Sequence, residues 1–370
     1  MAAGDTAPAR AGVNLLVARR QLRDGSMPRN RLLNGEVAAE SFGVQPDEVG
    51  YPILMADLLN MTGHDLYLNH IRPAAAFVIA HGPSFGSERW EEQGGFSPST
   101  IAAEIAGLVA AGHLAQANGD GAFAAVCLGV ADDFERNIKN WTVTTNGPLA
   151  SHPYFIRLSK TGDPNAAISY NVGNGGPTLD QRSVIDQGFL ELVRLGVLPA
   201  TDPAVLESLP IVDATIKSMT SNGPGFLRYN GDGYGDRASD GRPWAPSGQG
   251  TGHLWPVLAG ERGEQQLALG DSAGALVLLQ AMQAQASGVG LIPEQTWNQP
   301  DLAASPFGTD PTVASIGFVN GKSAGSASPL TWSAGAFVRL IRDLSTGTVL
   351  DRPPAPFTRY FAPPQRPPPP

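Results

Sequence analysis

The chain has 370 residues, of which 42% are hydrophobic and only 16% charged, with 44 glycines and 32 prolines. That apolar content over that length excludes wholesale disorder, and the glycine and proline content predicts many long structured loops. The net charge of −9 gives no basic footprint for nucleic acid, and the single cysteine, Cys127, excludes an internal disulfide or a cysteine zinc site. No uninterrupted 18-residue apolar run points to a membrane, and Met1 to Asn14 lacks a signal-peptide layout.

In chain order, helical spacing of apolar residues predicts helices at roughly 12–22, 50–61 and 64–80. The next begins at Pro98, with Ser97 as its cap and Ile101, Ile105, Leu108 and Val109 on the helical repeat. Further helices are expected at about 120–139, 183–195, from Pro203 to Val212 with a break or kink at Pro210, and at about 252–268, 272–286 and 327–343. Several are alanine-rich with apolar residues on more than one face, which predicts helices packed on both sides. Strand patterns are scarce. Long Gly/Pro/Asn/Asp/Ser segments at 82–95, 142–178, 221–250 and 288–326 separate the helices, and loops of such length usually carry function. Residues 352–370 are too proline-rich for helix and read as an extended tail.

Two Gly-x-Ser-x-Gly matches, around Ser84 and Ser272, raise a serine hydrolase. All six histidines precede Ser272, so the order of a nucleophile elbow with a later base fails there. Ser272 reads instead as a helix start, and no run of βα units surrounds Ser84. Asn230 to Asp236 has the texture of a calcium loop, but Tyr234 falls on a required oxygen position and Gly241 on the terminal glutamate's, so a tight functional loop is the better reading. Gly173-Asn174-Gly175-Gly176 lacks the flanking strand and spacing of a nucleotide fingerprint. No histidine pairing suggests a transition metal.

Carboxylates beside aromatics inside the long loops stand out: Arg89-Trp90-Glu91-Glu92 before the Pro98 helix, and Pro293-Glu294-Gln295-Thr296-Trp297. A glutamate pair near Trp90 and Phe85 could keep one carboxyl protonated, while a better solvated glutamate acts as base. Indole faces with acidic and amide groups also suit a sugar ring. The competing reading is a solvated carboxylate pair favoured by a helix N-terminus.

Arg89 to Glu92, followed by Gly94-Gly95-Phe96-Ser97-Pro98-Ser99-Thr100-Ile101-Ala102, resembles the general-acid segment of glycoside hydrolase family 15, the glucoamylases and glucodextranases. The other matches come in order: Asp47 to Leu54, Asn171 to Pro177, Arg228 to Asp236, Gly250 to Pro256, Ile292 to Trp297 and Ser328 to Ser333. The bacterial glucodextranase branch is closest in texture, over residues of about 12–345. The resemblance implies an all-α (α/α)6 barrel and inverting release of β-glucose from the non-reducing ends of α-glucans or oligosaccharides, with no cofactor or metal. By motif Glu91 matches the general acid and Glu294 the general base, which in an inverting pair stand about 6.5–9.5 Å apart. Trp90, Glu92, Arg228, Trp255 and Trp332 match residues lining the terminal sugar's subsite. The expected division is an extension at 1–11, the glycosidase domain at 12–350 and the proline-rich tail at 351–370.

One departure stands at the front. The family's Trp-x-Arg-Asp segment, whose charged pair grips the terminal glucose, is absent, and the stretch around Asp24-Gly25-Ser26 resembles what normally follows it. Ser41-Phe42 also replace a tryptophan that often precedes the Gln45-Pro46-Asp47-Glu48 stretch. The chain is thus expected to begin inside the catalytic domain and to leave the barrel incomplete. Catalytic weakness, or carbohydrate binding without turnover, is the alternative. Bond specificity, localisation and oligomeric state are not specified by the residues.

Overall fold

A computed structural model describes residues 4–39, 43–84, 86–245 and 250–361. Ser41, Phe42, Phe85 and the end of the proline-rich tail (362–370) lie outside the described residues. In chain order the helices are α1 (Thr6–Leu15), continued by a π-helical turn (Leu16–Arg20), α2 (Pro46–Leu58), and α3 (His64–Leu66), which runs through a second π-helical turn (Tyr67–Ile71) into α4 (Arg72–His81). Then come α5 (Pro98–Ala117), α6 (Gly121–Thr142), α7 (Leu190–Arg194), α8 (Pro203–Thr215), α9 (Pro256–Ala268), α10 (Ser272–Gln285), α11 (Thr331–Thr346) and α12 (Pro354–Phe361). Among the described residues the strands form three antiparallel two-stranded ribbons: β1 (Val143–Thr144) with β2 (Tyr154–Phe155), β3 (Ser169–Asn171) with β4 (Thr178–Asp180), and β5 (Lys217–Thr220) with β6 (Gly223–Phe226). The chain divides into two compact units, one of residues 1–142, 191–202 and 351–370, the other of 143–190 and 203–350.

The first unit is organised around α5, which packs against α2, α4, α6 and α12. By length and hydropathy α5 could cross a membrane, yet it is buried on nearly every side within the fold, and its alanines and glycines are what let neighbours approach. A Cβ on Gly50 of α2 would lie 2.5 Å from the Ala103 carbonyl oxygen, and one on Gly107 of α5 would lie 2.8 Å from the Gly50 Cα. Both glycines weaken an isolated helix, so this contact, not propensity, holds the pair. Pro46 opens α2 and Pro98 opens α5, at positions where a missing N–H costs nothing. Ser97 occupies the cap position of α5 as expected, although its hydroxyl pairs with the Ser99 hydroxyl at 3.1 Å and makes no backbone cap bond.

In the second unit α9 is the central helix, packed by α10 and α11. Its Gly260 and Gly263 receive Ala336 and Leu340 of α11, since added Cβ atoms would sit 2.8 and 2.6 Å from those side chains. The long segment after Trp297 has its own small core of Trp297, Phe318 and Ala324 with Leu302 against it. Bridges pair Leu254 with Thr296 and Thr296 with Ser323, tying that segment to the start of α9.

Four sequence expectations need correction. The tail is not wholly extended, because α12 forms at Pro354–Phe361; Pro354 opens it and Pro356 lies in its first turn, where no donor is required. Helix α8 runs through Pro210 to Thr215 without ending there. Residues 183–195 hold only a 3₁₀ turn (Gln181–Ser183) and the short α7. A strand does flank Gly173 to Gly176, but the segment is the turn of the β3–β4 hairpin, so no helix N-terminus follows it.

Candidate active site

The Arg89–Glu92 segment lies in the first unit, in a turn directly ahead of α5. Three bonds close this turn: the Glu88 N–H donates to the Gln93 carbonyl (2.9 Å), the Glu91 N–H to the Glu88 carbonyl (2.7 Å), and the Trp90 N–H to Glu88 Oε2 (3.0 Å). Glu91 sits at φ 67°, a left-handed conformation that a residue with a Cβ adopts at a cost. Its side chain stands outward, 47% exposed, where Oε2 forms an ion pair with Arg29. The turn is anchored beneath by Gly86, whose added Cβ would overlap the Val44 carbonyl oxygen at 1.7 Å, and by the Ser87 N–H donating to that same carbonyl (3.0 Å). Trp90 is only 4% exposed, with the Arg89 guanidinium 4.5 Å from its ring centre; Glu92 is half-buried.

Beneath the turn lies a group of acids that the sequence reading did not single out. Burial raises Asp47 to about 7, only partly offset by its hydrogen bond from the Glu48 N–H. Burial raises Glu48 to about 8, assisted by the Asp47 and Glu91 carboxylates and opposed by Arg29 and Arg20. Glu104 of α5 is fully buried and has no hydrogen-bond partner among the described residues, and burial with the nearby Asp47 pushes its carboxyl well above the usual range. Glu191 goes the other way: although burial opposes ionisation, the Arg194 charge and its hydrogen bonds hold it below the usual range.

These raised acids have a measurable consequence. Asp47 and Glu48 ionise near 3.8 and 4.5 in a solvated chain but near 7 and 8 in the fold. The native state therefore binds more protons than the unfolded state between those values, and stability falls as pH rises across that window. Calorimetric melting at pH 5, 6.5 and 8.5 should show a declining midpoint, and Glu48→Gln should flatten the decline. An unchanged slope in that variant would remove Glu48 as its source.

The second unit assembles Arg228, Trp255 and Glu294. Arg228 follows β6 and grips Asp232 through two parallel bonds, Nε to Oδ2 at 2.8 Å and Nη2 to Oδ1 at 2.7 Å, with both side chains buried. Its guanidinium lies 4.9 Å from the Tyr234 ring centre and 5.3 Å from that of Trp255. Trp255, 6% exposed, occupies the cap position of α9 and donates its N–H to the Phe226 carbonyl (2.8 Å). Glu294 is half-buried and fixed to the segment before α11: its N–H donates to the Ala327 carbonyl (2.8 Å), and the Ala327 N–H donates back to Oε2 (3.2 Å). Trp332 lies in the first turn of α11, 38% exposed.

Two glycine-rich segments lock together here. A Cβ on Gly233 would meet the Asn174 carbonyl oxygen at 2.3 Å, and one on Gly176 would meet that of Gly231 at 2.4 Å. In the Asn230–Asp236 loop Asp232 is taken up by the Arg228 guanidinium and by the Tyr234 N–H (2.8 Å). Of the serine motifs, Ser272 opens α10 behind Asp271, whose carboxylate accepts the Gly274 N–H (2.8 Å), a helix start as the sequence suggests. Cys127 is buried, its thiol pushed up to about 12 by burial, which makes it a poor nucleophile at neutral pH.

Sequence reasoning missed Arg29, Tyr234 and Trp244. Tyr234 stands inside a recognised segment without an assigned role, and it carries Trp244 edge-on at 4.9 Å and Trp255 at 6.3 Å. Its aromatic type beside Gly233 and Gly235 was the available signal.

Residues 38–342 match the glycosyl hydrolases family 15. A glucoamylase of Clostridium sp. (strain G0005) is 39% identical over 362 residues, covering 98% of this chain and 47% of that protein. The crystal structure of a bacterial glucoamylase complexed with acarbose superposes with a TM-score of 0.83 at 38% identity, over 96% of this chain and 48% of the other. The glucoamylase from Saccharomycopsis fibuligera shares the fold with a TM-score of 0.60 at 15% identity, over 93% of this chain and 82% of that one. The mostly helical fold is that of the bacterial enzyme's (α/α)6 barrel class, and the chain spans about half the length of its bacterial relatives.

Proposed function

We propose, from the premise that the chain belongs to glycosyl hydrolase family 15, that it is an inverting exo-acting α-glucosidase that releases β-glucose from the non-reducing ends of α-glucans or oligosaccharides. The observation that carries this reading is the contrast between two glutamates. Glu91 stands outward on a left-handed turn, paired with Arg29 and near the buried Glu48, and Glu294 is held by the backbone of Ala327. Glu91 protonates the departing glycosidic oxygen. Glu294 takes a proton from the attacking water, whose oxygen forms the new bond to the anomeric carbon from the face opposite the leaving group. Arg228, held rigid by Asp232, lines the terminal sugar's subsite together with Trp90, Glu92, Trp255 and Trp332.

Proton NMR of the first minutes of maltotriose hydrolysis tests the stereochemistry. The β-anomer of glucose is expected first, with the α-anomer growing only at the rate of mutarotation. Early α-glucose would exclude inversion, and acarbose binding without any glucose release would leave a carbohydrate-binding protein.

A further inference from the structure

We propose that Arg29 is a positioning residue for Glu91, holding one carboxyl oxygen so that the other is presented to the departing sugar; this deepens the reading of Glu91 as general acid and rests on it. A general acid must keep its proton aimed at the leaving oxygen, yet a glutamate carboxyl turns easily about its last torsion. Glu91 stands 47% exposed, where packing restrains that torsion little. The restraint comes from Arg29, whose Nη2 donates to Glu91 Oε2. The bond leaves Oε1 to carry the proton, and it becomes charge-assisted once the proton has gone.

Arg29 comes from a segment with its own anchors on α4 and the π-helical turn before it. Gln21 Nε2 donates to the His70 carbonyl at 2.9 Å, and Gln21 Oε1 pairs with His70 Nδ1 at 2.8 Å. A Cβ on Gly25 would lie 2.2 Å from the Pro73 carbonyl oxygen, so the backbone there rests directly on α4. Within the segment the Leu22 N–H donates to the Ser26 carbonyl at 2.8 Å, and Asp24 Oδ1 accepts the Ser26 hydroxyl at 2.6 Å and its N–H at 3.0 Å. Arg29 follows three residues later, its side chain only 13% exposed. Glu91 is held by different anchors: its N–H donates to the Glu88 carbonyl, and its turn rests on the Val44 carbonyl. The guanidinium thus joins two backbones that are fixed independently, which sets where the carboxyl can point. An ion pair so open to water adds little to stability, so orientation is the stronger reason for it. The same cation stabilises the carboxylate that forms when the proton passes to the glycosidic oxygen and the bond from that oxygen to the anomeric carbon breaks.

The discriminating experiment is a double-mutant cycle of Arg29→Met and Glu91→Gln, with kcat and KM read on maltose and on α-glucosyl fluoride, whose fluoride departs without a proton. Arg29→Met is expected to lower kcat on maltose by about 10–100-fold, less than the full contribution of a general acid because a carboxyl remains. Its KM for maltose and its rate on the fluoride should stay close to native. In the Glu91→Gln background the same substitution should cost almost nothing on maltose. Arg29→Lys, which returns a cation, should regain part of the lost rate. Equal losses on the two substrates would make Arg29 a residue of the fold only. A loss confined to KM, full additivity, or a lysine variant no faster than the methionine one likewise overturns the positioning role. Native maltose turnover in Glu91→Gln alone overturns the acid assignment instead. A second measurement does not depend on turnover. In protein carrying ¹⁵N-arginine, the guanidinium signal missing from Arg29→Met identifies Arg29, and rotation about its Cζ–Nε bond should speed up several-fold in Glu91→Gln, where the partner's charge is gone. Unchanged rotation means that the pair does not hold in solution, and the positioning role falls with it.

Discussion

Glu91→Gln is expected to lower maltose turnover by about 10²–10⁴-fold, the range supplied by a positioned general acid, while α-glucosyl fluoride should still be cleaved at close to the native rate. The amide keeps the size of the side chain and can still accept a bond from Arg29, so the turn ahead of α5 is retained. What it would lose, in the proposed mechanism, is the proton for the leaving oxygen. Fluoride leaves without protonation, so a substrate bearing it bypasses the missing acid. Glu294→Gln should give the opposite pattern: both substrates slow by a similar factor, because water must be deprotonated whichever group departs. Steady-state rates on the two substrates for the two variants separate the roles in one table of four numbers. Equal losses on both substrates in Glu91→Gln would take the acid role from Glu91, and maltose turnover at the native rate would take away any role in the chemistry.

How far the sequence carried this reading depends on the range of the interactions concerned. The helix starts at Pro98 and Ser272 were legible because caps and prolines act within one turn. The length of α5 was not, since its last turns to Ala117 are held by buried contacts to other helices. Pro210 misled because a proline's local cost can be met by the packing of a whole helix. The proline-rich tail misled in another way: proline count says nothing of position, and at a first turn proline is harmless. The two glutamates were visible as motifs, whereas the groups that set their surroundings were not. Arg29 lies 62 positions from Glu91, and Gln295 reaches Tyr234 across 61. Asp47, Glu48 and Glu104 read as ordinary helix residues until burial shifts their ionisation. Such pairings across the fold leave no spacing for a single sequence to display.

Asp232→Ala is expected to destabilise the protein by about 3–5 kcal/mol, the usual cost of removing one partner from a buried ion pair. The alanine removes both acceptors of the Arg228 fork and the acceptor of the Tyr234 N–H, in a site where the two charged side chains have almost no access to water. Chemical denaturation would show the loss as a lower midpoint at unchanged slope. Activity should fall with it, mainly through KM, because Arg228 loses the partner that fixes its place beside Tyr234 and Trp255. The double variant Arg228→Met, Asp232→Leu separates the two consequences. Apolar residues of similar volume should recover most of the stability, since no buried charge remains, while the sugar affinity stays lost. If Asp232→Ala were as stable as the native protein, the paired guanidinium would not be a structural element of the 228–236 segment. If the double variant bound acarbose normally, Arg228 would not be a sugar ligand, and the bidentate pair would have to be read as scaffolding for Tyr234 alone.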